Sequence, residues 1–250
     1  MMSFMRMLWF HTRLFSRNSY FSQLLISSTL SILVLQMLVA NEVVGSDTST
    51  IWIRSAVVGM WTVCTVAAGI VGYQRFQGTL VYLVMTPSSP ARTLLPLIAS
   101  AATFGVLAFP LAALGGMLFG NFPEISSWPT LLVGVAALWL SCLAVTTLVA
   151  SVFVLTPNAI TYEGLLAVPF VLLSGVFGVP ENLWIGADYF RYILPTTPAV
   201  RILLEQPQRE DLAPLLLLCL GVVVVWFYLS HNAMNAALDR ARFKGSLEVV

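Results

Sequence analysis

The fold class this sequence predicts is an all-α integral membrane protein, with six transmembrane helices preceded by an amphipathic interfacial helix. Three observations predict it. Of 250 residues 58% are hydrophobic and 9% charged, at a mean hydropathy of +0.89, whereas soluble domains carry about 25% charged residues. Six charge-poor stretches, at Phe21–Ala40, Ser55–Tyr73, Thr93–Leu118, Pro129–Leu155, Ala159–Phe177 and Leu212–Ser230, are each long enough for a hydrocarbon core of about 30 Å, which takes about 20 residues of helix. None shows the alternation of a barrel strand, and backbone groups cannot stay unpaired in lipid, so helices are what remains. A water-soluble globule and a disordered chain are excluded by the same composition.

The elements follow in order. Residues 1–20 place Arg6, Arg13 and Arg17 within about 40° of one another at helical spacing, with Phe4, Leu8 and Phe15 opposite. That pattern describes a helix lying in the inner interface against membrane lipids; its alternative is a short tail with ordinary positive-inside arginines. A cleaved signal peptide is not expected, since arginines run through the whole segment and Leu38-Val39-Ala40 is a poor cleavage site. The six-helix domain occupies 21–232, and 233–250 is a polar cytoplasmic tail. With both termini inside, the cytoplasmic segments hold Arg6, Arg13, Arg17, Arg75, Arg92, Arg240, Arg242 and Lys244, eight basic residues against Arg54, Arg191, Arg201 and Arg209 outside. The same count results if the fifth stretch does not cross. Six spans are kept because Ala159–Phe177 is long enough and carries only Glu163. Tyr20, Tyr73 and Tyr162 at inner boundaries and Trp52, Trp128 and Trp184 at outer ones suit interfacial anchors.

Several chemistries are excluded. Cys64, Cys142 and Cys219 lie far apart inside apolar runs and read as small core residues, not as a disulfide framework or metal ligands. Lys244 is the only lysine and follows Phe243, so no phosphate-binding P-loop exists in the chain. The scattered basic residues leave no footprint for nucleic acid. The spans lack the central carboxylates or histidines of ion-coupled carriers and the polar lining of a channel. A serine protease built on Ser174 and His231 is opposed by their placement near opposite ends of different spans, about 20 Å apart at 1.5 Å per residue. His11 and His231 have no neighbouring ligand cluster and no metal is expected. Gly116 and Gly120 have close-packing spacing, which serves internal helix contact or a dimer.

The most informative stretch is the loop 74–92. A Gly78-Thr79 start, two helical turns with Leu80, Leu83 and Val84 on one side, and a stop at Thr86-Pro87 describe a short helix on the cytoplasmic surface. Arg75, then Gly78-Thr79-Leu80, then Thr86-Pro87 resembles the first coupling segment of type-2 ABC exporter permeases, the class of O-antigen, teichoic-acid and small drug exporters. Gln74 and Phe76 replace the acidic residues that often flank that arginine. A second similarity follows the fifth stretch, where Leu173-Ser174-Gly175, Pro180 and Pro195-Thr196-Thr197-Pro198-Ala199-Val200 resemble the motifs near that family's extracellular re-entrant helices, with Leu194 in place of the usual asparagine.

The resemblance implies a half-transporter. A second copy or a sister permease completes the pore, and two copies of a separate ABC ATPase subunit bring ATP and magnesium, so the chain itself binds no cofactor and has no catalytic residue. It implies that Gln74, Arg75, Gly78, Thr79, Leu80, Leu83, Thr86 and Pro87 couple to the ATPase, and that 178–211 is a re-entrant extracellular segment. Gly164, Pro169, Ser174, Gly175, Pro195 and Thr197 become candidate gate or kink positions, a Pro-Gly helix that merely packs being the alternative. The apolar path suits a drug, peptide antibiotic or lipid-like cargo, with lipid-linked glycan as runner-up; Phe177, Trp184, Tyr189, Phe190 and Tyr192 suit sugar stacking or interface anchoring. A scaffold without transport is the more remote alternative.

Overall fold

The computed structural model describes residues 4–42, 48–76, 78, 82, 90–155, 165, 168–178 and 191–244. They form helices α1 (Phe4–Arg17), α2 (Ser19–Glu42), α3 (Ile51–Phe76), α4 (Pro90–Gly105), α5 (Ala108–Leu118), α6 (Trp128–Leu155), α7 (Thr196–Glu205) and α8 (Arg209–Lys244). Residues 168–173 are helical as well, and no strand occurs among the described residues. Five stretches there are long and apolar enough to cross a membrane: Ser19–Glu42, Ile51–Ile70, Leu94–Leu118, Trp128–Val154 and Glu210–Arg240. The protein is an all-α, multi-pass membrane protein.

The bundle is organised around α3, which touches α2, α4, α5, α6 and α7. In its apolar window 83% of the residues are buried, against 11% in α8, so α3 is the central helix and α8 a peripheral one. Small residues let the neighbours approach. Ala56, Cys64, Ala67 and Ala68 are fully buried, a Cβ at Gly59 would overlap the Thr29 side chain of α2, and one at Gly105 would lie 3.2 Å from the Met60 carbonyl. Gly115 and Gly116 likewise pack inward, against Leu30 and Leu33 of α2 and near Trp52 of α3. Gly120, the second glycine of the expected spacing, ends the helix region at φ +78° with nothing within 4 Å of a Cβ there, so the inward packing belongs to Gly115 and Gly116.

The third expected stretch is not continuous. After Gly105 the bonds tighten to Val106 N–H on Thr103 and Leu107 N–H on Phe104, and α5 begins at Ala108. Pro110 explains the break: it has no N–H for the Val106 carbonyl, yet it is tolerated in the first turn of a new helix. The fifth stretch also differs from a helix reaching Phe177. Its helix stops at Leu173 and a turn follows, with Gly175 and Gly178 at φ +76° and +87°. A left-handed glycine ends a helix, so the candidate kink at Gly175 is a stop.

Ser141 of α6 meets Cys219 of α8 at 3.5 Å, and further along both helices the Ser230 hydroxyl donates to the Ala144 carbonyl at 3.1 Å. The two helices thus run in the same direction. At one end of the bundle Leu8 of α1, Leu94 of α4, and Met234 and Leu238 of α8 share a small core cluster, which places the beginning and end of the described chain together. The cysteines are free and buried as expected, and folding brings Cys64, Cys142 and Cys219 into the same core cluster despite their separation in sequence.

The amphipathic pattern of the first residues resolves as α1 packed along α4. Phe15 is buried and Leu8 half-buried on the expected apolar side, Phe4 is 45% exposed, and Arg6, Arg13 and Arg17 are all exposed. His11 shares the packed side. Burial holds its imidazole below the ordinary value of 6.5, because a charged ring would lose hydration there.

Two outcomes are expected. Gly59→Val should destabilise the detergent-solubilised protein by about 1–3 kcal/mol more than Gly221→Val in thermal unfolding, since a Cβ at Gly221 meets nothing within 4 Å. The docked His11 resists protonation, so an undocked α1 takes up the proton first as pH falls below 6.5. Docking should hold at neutral pH, weaken as pH falls through that range, and lose this dependence in His11→Phe. Distances between spin labels on α1 and α4 measure it.

Candidate functional site

The site lies where α7 ends among the longer helices. Pro195 precedes α7 with φ −65° and ψ −20°, already helical, and Pro198 occupies the first turn, where a missing N–H costs nothing. Every residue from Thr196 to Val200 is buried. The Pro195 carbonyl accepts the Ser141 hydroxyl at 2.8 Å and the Cys219 thiol at 3.7 Å. Ser141 is 13 residues into the 28-residue α6, so α7 begins level with the middle of that helix, about 20 Å from its start. At its other end, Gln206 Oε1 accepts the Ser126 N–H at 2.9 Å beside the start of α6, and between these points Leu203 fills the space above Gly134. α7 therefore runs antiparallel to the first half of α6 and covers only that half.

The chain leading into α7 is irregular, and three of its carbonyls are individually paired. Arg191 accepts from the Thr197 hydroxyl at 2.6 Å, Ile193 from the Trp226 indole at 2.8 Å, and Leu194 from the Thr197 N–H at 3.2 Å. Thr197 also reaches the Leu173 carbonyl at 3.4 Å. That bond joins the two stretches singled out in the sequence, the helix end at Leu173-Ser174-Gly175 and the segment from Pro195 to Val200. Phe170, one turn before, packs between Trp61 of α3 and Trp226 of α8, with ring centroids 5.6 and 6.5 Å away. Ser174 is buried and donates to its own helix, at the Val171 carbonyl, 2.6 Å away. His231 lies beside Asn235 in a different, smaller cavity with Leu94, Ile98 and Thr147, so no serine–histidine pair forms.

Between these pieces is a cavity of about 460 Å³, with Ser174, Gly175, Arg191 and Thr197 on one side and Tyr192, Arg201 and Glu205 on the other. The Arg201 guanidinium holds both Glu205 carboxylate oxygens at 2.9 Å and donates to the Tyr192 hydroxyl at 2.9 Å. One Nε–H is thus shared between the two carboxylate oxygens while a terminal nitrogen holds Tyr192, so a single guanidinium ties this wall of the cavity together. Arg191 packs over Gly175, where a Cβ would lie 2.8 Å from its terminal nitrogen. Two guanidiniums, one carboxylate and three hydroxyls can hold a charged or hydroxylated group by hydrogen bonds. No nucleophile–base pair lines the cavity, and no group of three or more metal-binding side chains occurs among the described residues.

Of the expected coupling residues, Gln74 and Arg75 lie in the last turn of α3 and Gly78 follows at φ +71°. Thr79, Leu80, Leu83, Thr86 and Pro87 lie outside the described residues. Among the gate positions Gly164 is also outside them, Pro169 is exposed in the 168–173 helix, and Ser174, Gly175, Pro195 and Thr197 come together as described. Sequence reasoning missed Ser141, Cys219 and Trp226 as partners, since nothing local marks a carbonyl acceptor on another segment. The i,i+4 spacing of Arg201 and Glu205 was a readable signal. No family model matches the chain, and no curated protein or solved structure matches it.

The two glycines of the turn separate backbone strain from contact. Gly178→Ala should cost about 1–2 kcal/mol from its left-handed conformation alone, because a Cβ there meets nothing within 4 Å. Gly175→Ala should cost more by displacing Arg191, and thermal unfolding of both variants in detergent compares them.

Proposed function

We propose that this chain is the permease subunit of an ATP-driven exporter of the type-2 ABC class, moving a hydrophobic or amphipathic cargo out of the cell. The observation that carries the reading is the bond from Thr197 to Leu173. It unites the two motif stretches at the tip of a half-length helix. With ten residues, α7 is about 15 Å long, half of a hydrocarbon core. A chain that dips to mid-depth and returns is tolerated only where protein partners satisfy its backbone, as Ser141, Cys219 and Trp226 do here. We therefore read α7 as the returning limb of a re-entrant segment.

The parallel course of α6 and α8 supports a six-span topology, because the chain between them must return once across the bundle. On this reading the protein lies in the cell membrane with both termini cytoplasmic. It pairs with a second copy or a sister permease, and two ATPase subunits dock below with their ATP and magnesium. Gln74, Arg75, Gly78, Thr79, Leu80, Leu83, Thr86 and Pro87 transmit their motion as a rigid contact. The lining of the cavity by Arg191, Arg201, Tyr192 and Thr197 favours a cargo with a charged or hydroxylated head on an apolar body. A drug, peptide antibiotic or lipid-like molecule fits, and the same polar lining keeps lipid-linked glycan as the second reading.

Leu83→Pro should break the short coupling helix, a proline costing about 3 kcal/mol or more inside a helix, and Arg75→Glu should weaken the contact. Both variants should reach the membrane at normal levels, lose export and fail to retain the ATPase during purification. Normal export by both at matched membrane levels defeats the coupling assignment, and export driven by an ion gradient without any ATPase defeats the whole reading.

A further inference from the structure

The face of α1 turned away from α4 differs in composition from its packed face. No acidic residue occurs before Glu42, at the far end of α2. Arg6, Arg13 and Arg17 form one exposed row along the helix, and none has an acidic partner among the described residues. Large apolar side chains stand open on both flanks of that row, Met5 and Trp9 at 70% exposure on one side, Phe10 at 57% and Leu14 at 58% on the other. The helix cannot roll to hide them. Leu8 and Phe15 on its opposite side are packed into the core, and Phe15 meets Phe21 of α2 edge-on at 4.4 Å. Asn18 alone separates α1 from α2, the first membrane-crossing helix, so the row lies where that helix begins.

Water is a poor environment for four exposed apolar side chains in one patch, and hydrocarbon is a poor one for three guanidiniums. The headgroup layer accommodates both. We propose that this face of α1 is a binding surface for anionic phospholipids: Arg6, Arg13 and Arg17 pair with headgroup phosphates while Trp9 and Phe10 sit at the top of the acyl chains. A zwitterionic phospholipid presents the same phosphate, but its own ammonium offsets it, so a row of unpaired cations selects lipids of net negative charge. The assignment does not depend on the exporter reading, since it concerns α1 alone.

The test uses the full-length protein, stripped of lipid in a nonionic detergent and mixed with equimolar dioleoylphosphatidylglycerol and dioleoylphosphatidylcholine. Mass spectrometry of the intact complexes counts the lipids retained. Phosphatidylglycerol should be retained preferentially, and the preference should fall about fivefold for each of Arg6→Gln, Arg13→Gln and Arg17→Gln. It should also shrink as salt rises from about 0.05 to 0.5 M. Trp9→Ala should lower retention of both lipids and keep their ratio, while Arg54→Gln, at the start of α3 beyond the far end of α2, should change neither. A preference that survives the triple glutamine variant, or an equal loss in Arg54→Gln, overturns the proposal. So does a parent protein without preference, which would leave the row to an acidic protein partner.

Discussion

The structure depends on one constraint: a peptide group taken away from water must find a partner, and the irregular chain that leads into a half-length helix carries carbonyls that no ladder of helix bonds pairs. At Pro195 the problem is acute, because the chain has just been irregular for several residues. Ser141, Cys219, Thr197 and Trp226 each supply a proton to one of those carbonyls. Their presence converts what would be a costly interruption into a fixed anchor. Everything on the outer side of that anchor, including the cavity and the Arg201–Glu205 wall, takes its position from it.

The second requirement is proximity. Ser141 reaches Pro195 only because α7 lies close against α6, and that closeness is set by Gly134, over which Leu203 and Ile202 pack. The same device recurs at the centre, where Gly59 and Gly105 bring α2 and α4 onto α3. Apolar side chains gain little by leaving lipid for one another, so close backbone approach and hydrogen bonds carry more of the association than in a soluble core. Polar residues are accordingly few and placed at contacts: Thr29, Ser55, Ser141 and Ser230 are all fully buried.

Much of this architecture was legible in the sequence, for reasons tied to particular residues. Long charge-poor runs can be satisfied only as helices, so five of the expected stretches correspond to apolar helical runs, four as α2, α3, α6 and α8 and the third as α4 with α5, and the row of arginines marked α1. What could not be read was where a run stops. The third stretch reads as one unbroken apolar run, yet the missing N–H of Pro110 permits a new helix to start at Ala108. Gly175 looked like a flexible point, whereas its positive φ ends the helix. The cavity was half visible: Ser174, Gly175 and Thr197 stand out as motifs, but Arg191 and Arg201 enter only the count of basic residues on the outer side and nothing singles out Glu205. Clusters such as that of Cys64, Cys142 and Cys219 join distant segments and leave no local trace.

The length of α8 has a mechanical consequence. Its 36 residues measure about 54 Å, against about 30 Å of hydrocarbon, so the rod outreaches the layer it crosses. In its first half, Cys219 and Trp226 hold the backbone at Pro195 and Ile193; toward its end, Met234 and Leu238 rest against α1 and α4. A stiff rod held at two separated points behaves as a lever with a fulcrum between them. Torque applied where α1 meets the last turns of α8 is carried along one continuous helix to the peptide groups that seat the half-length helix.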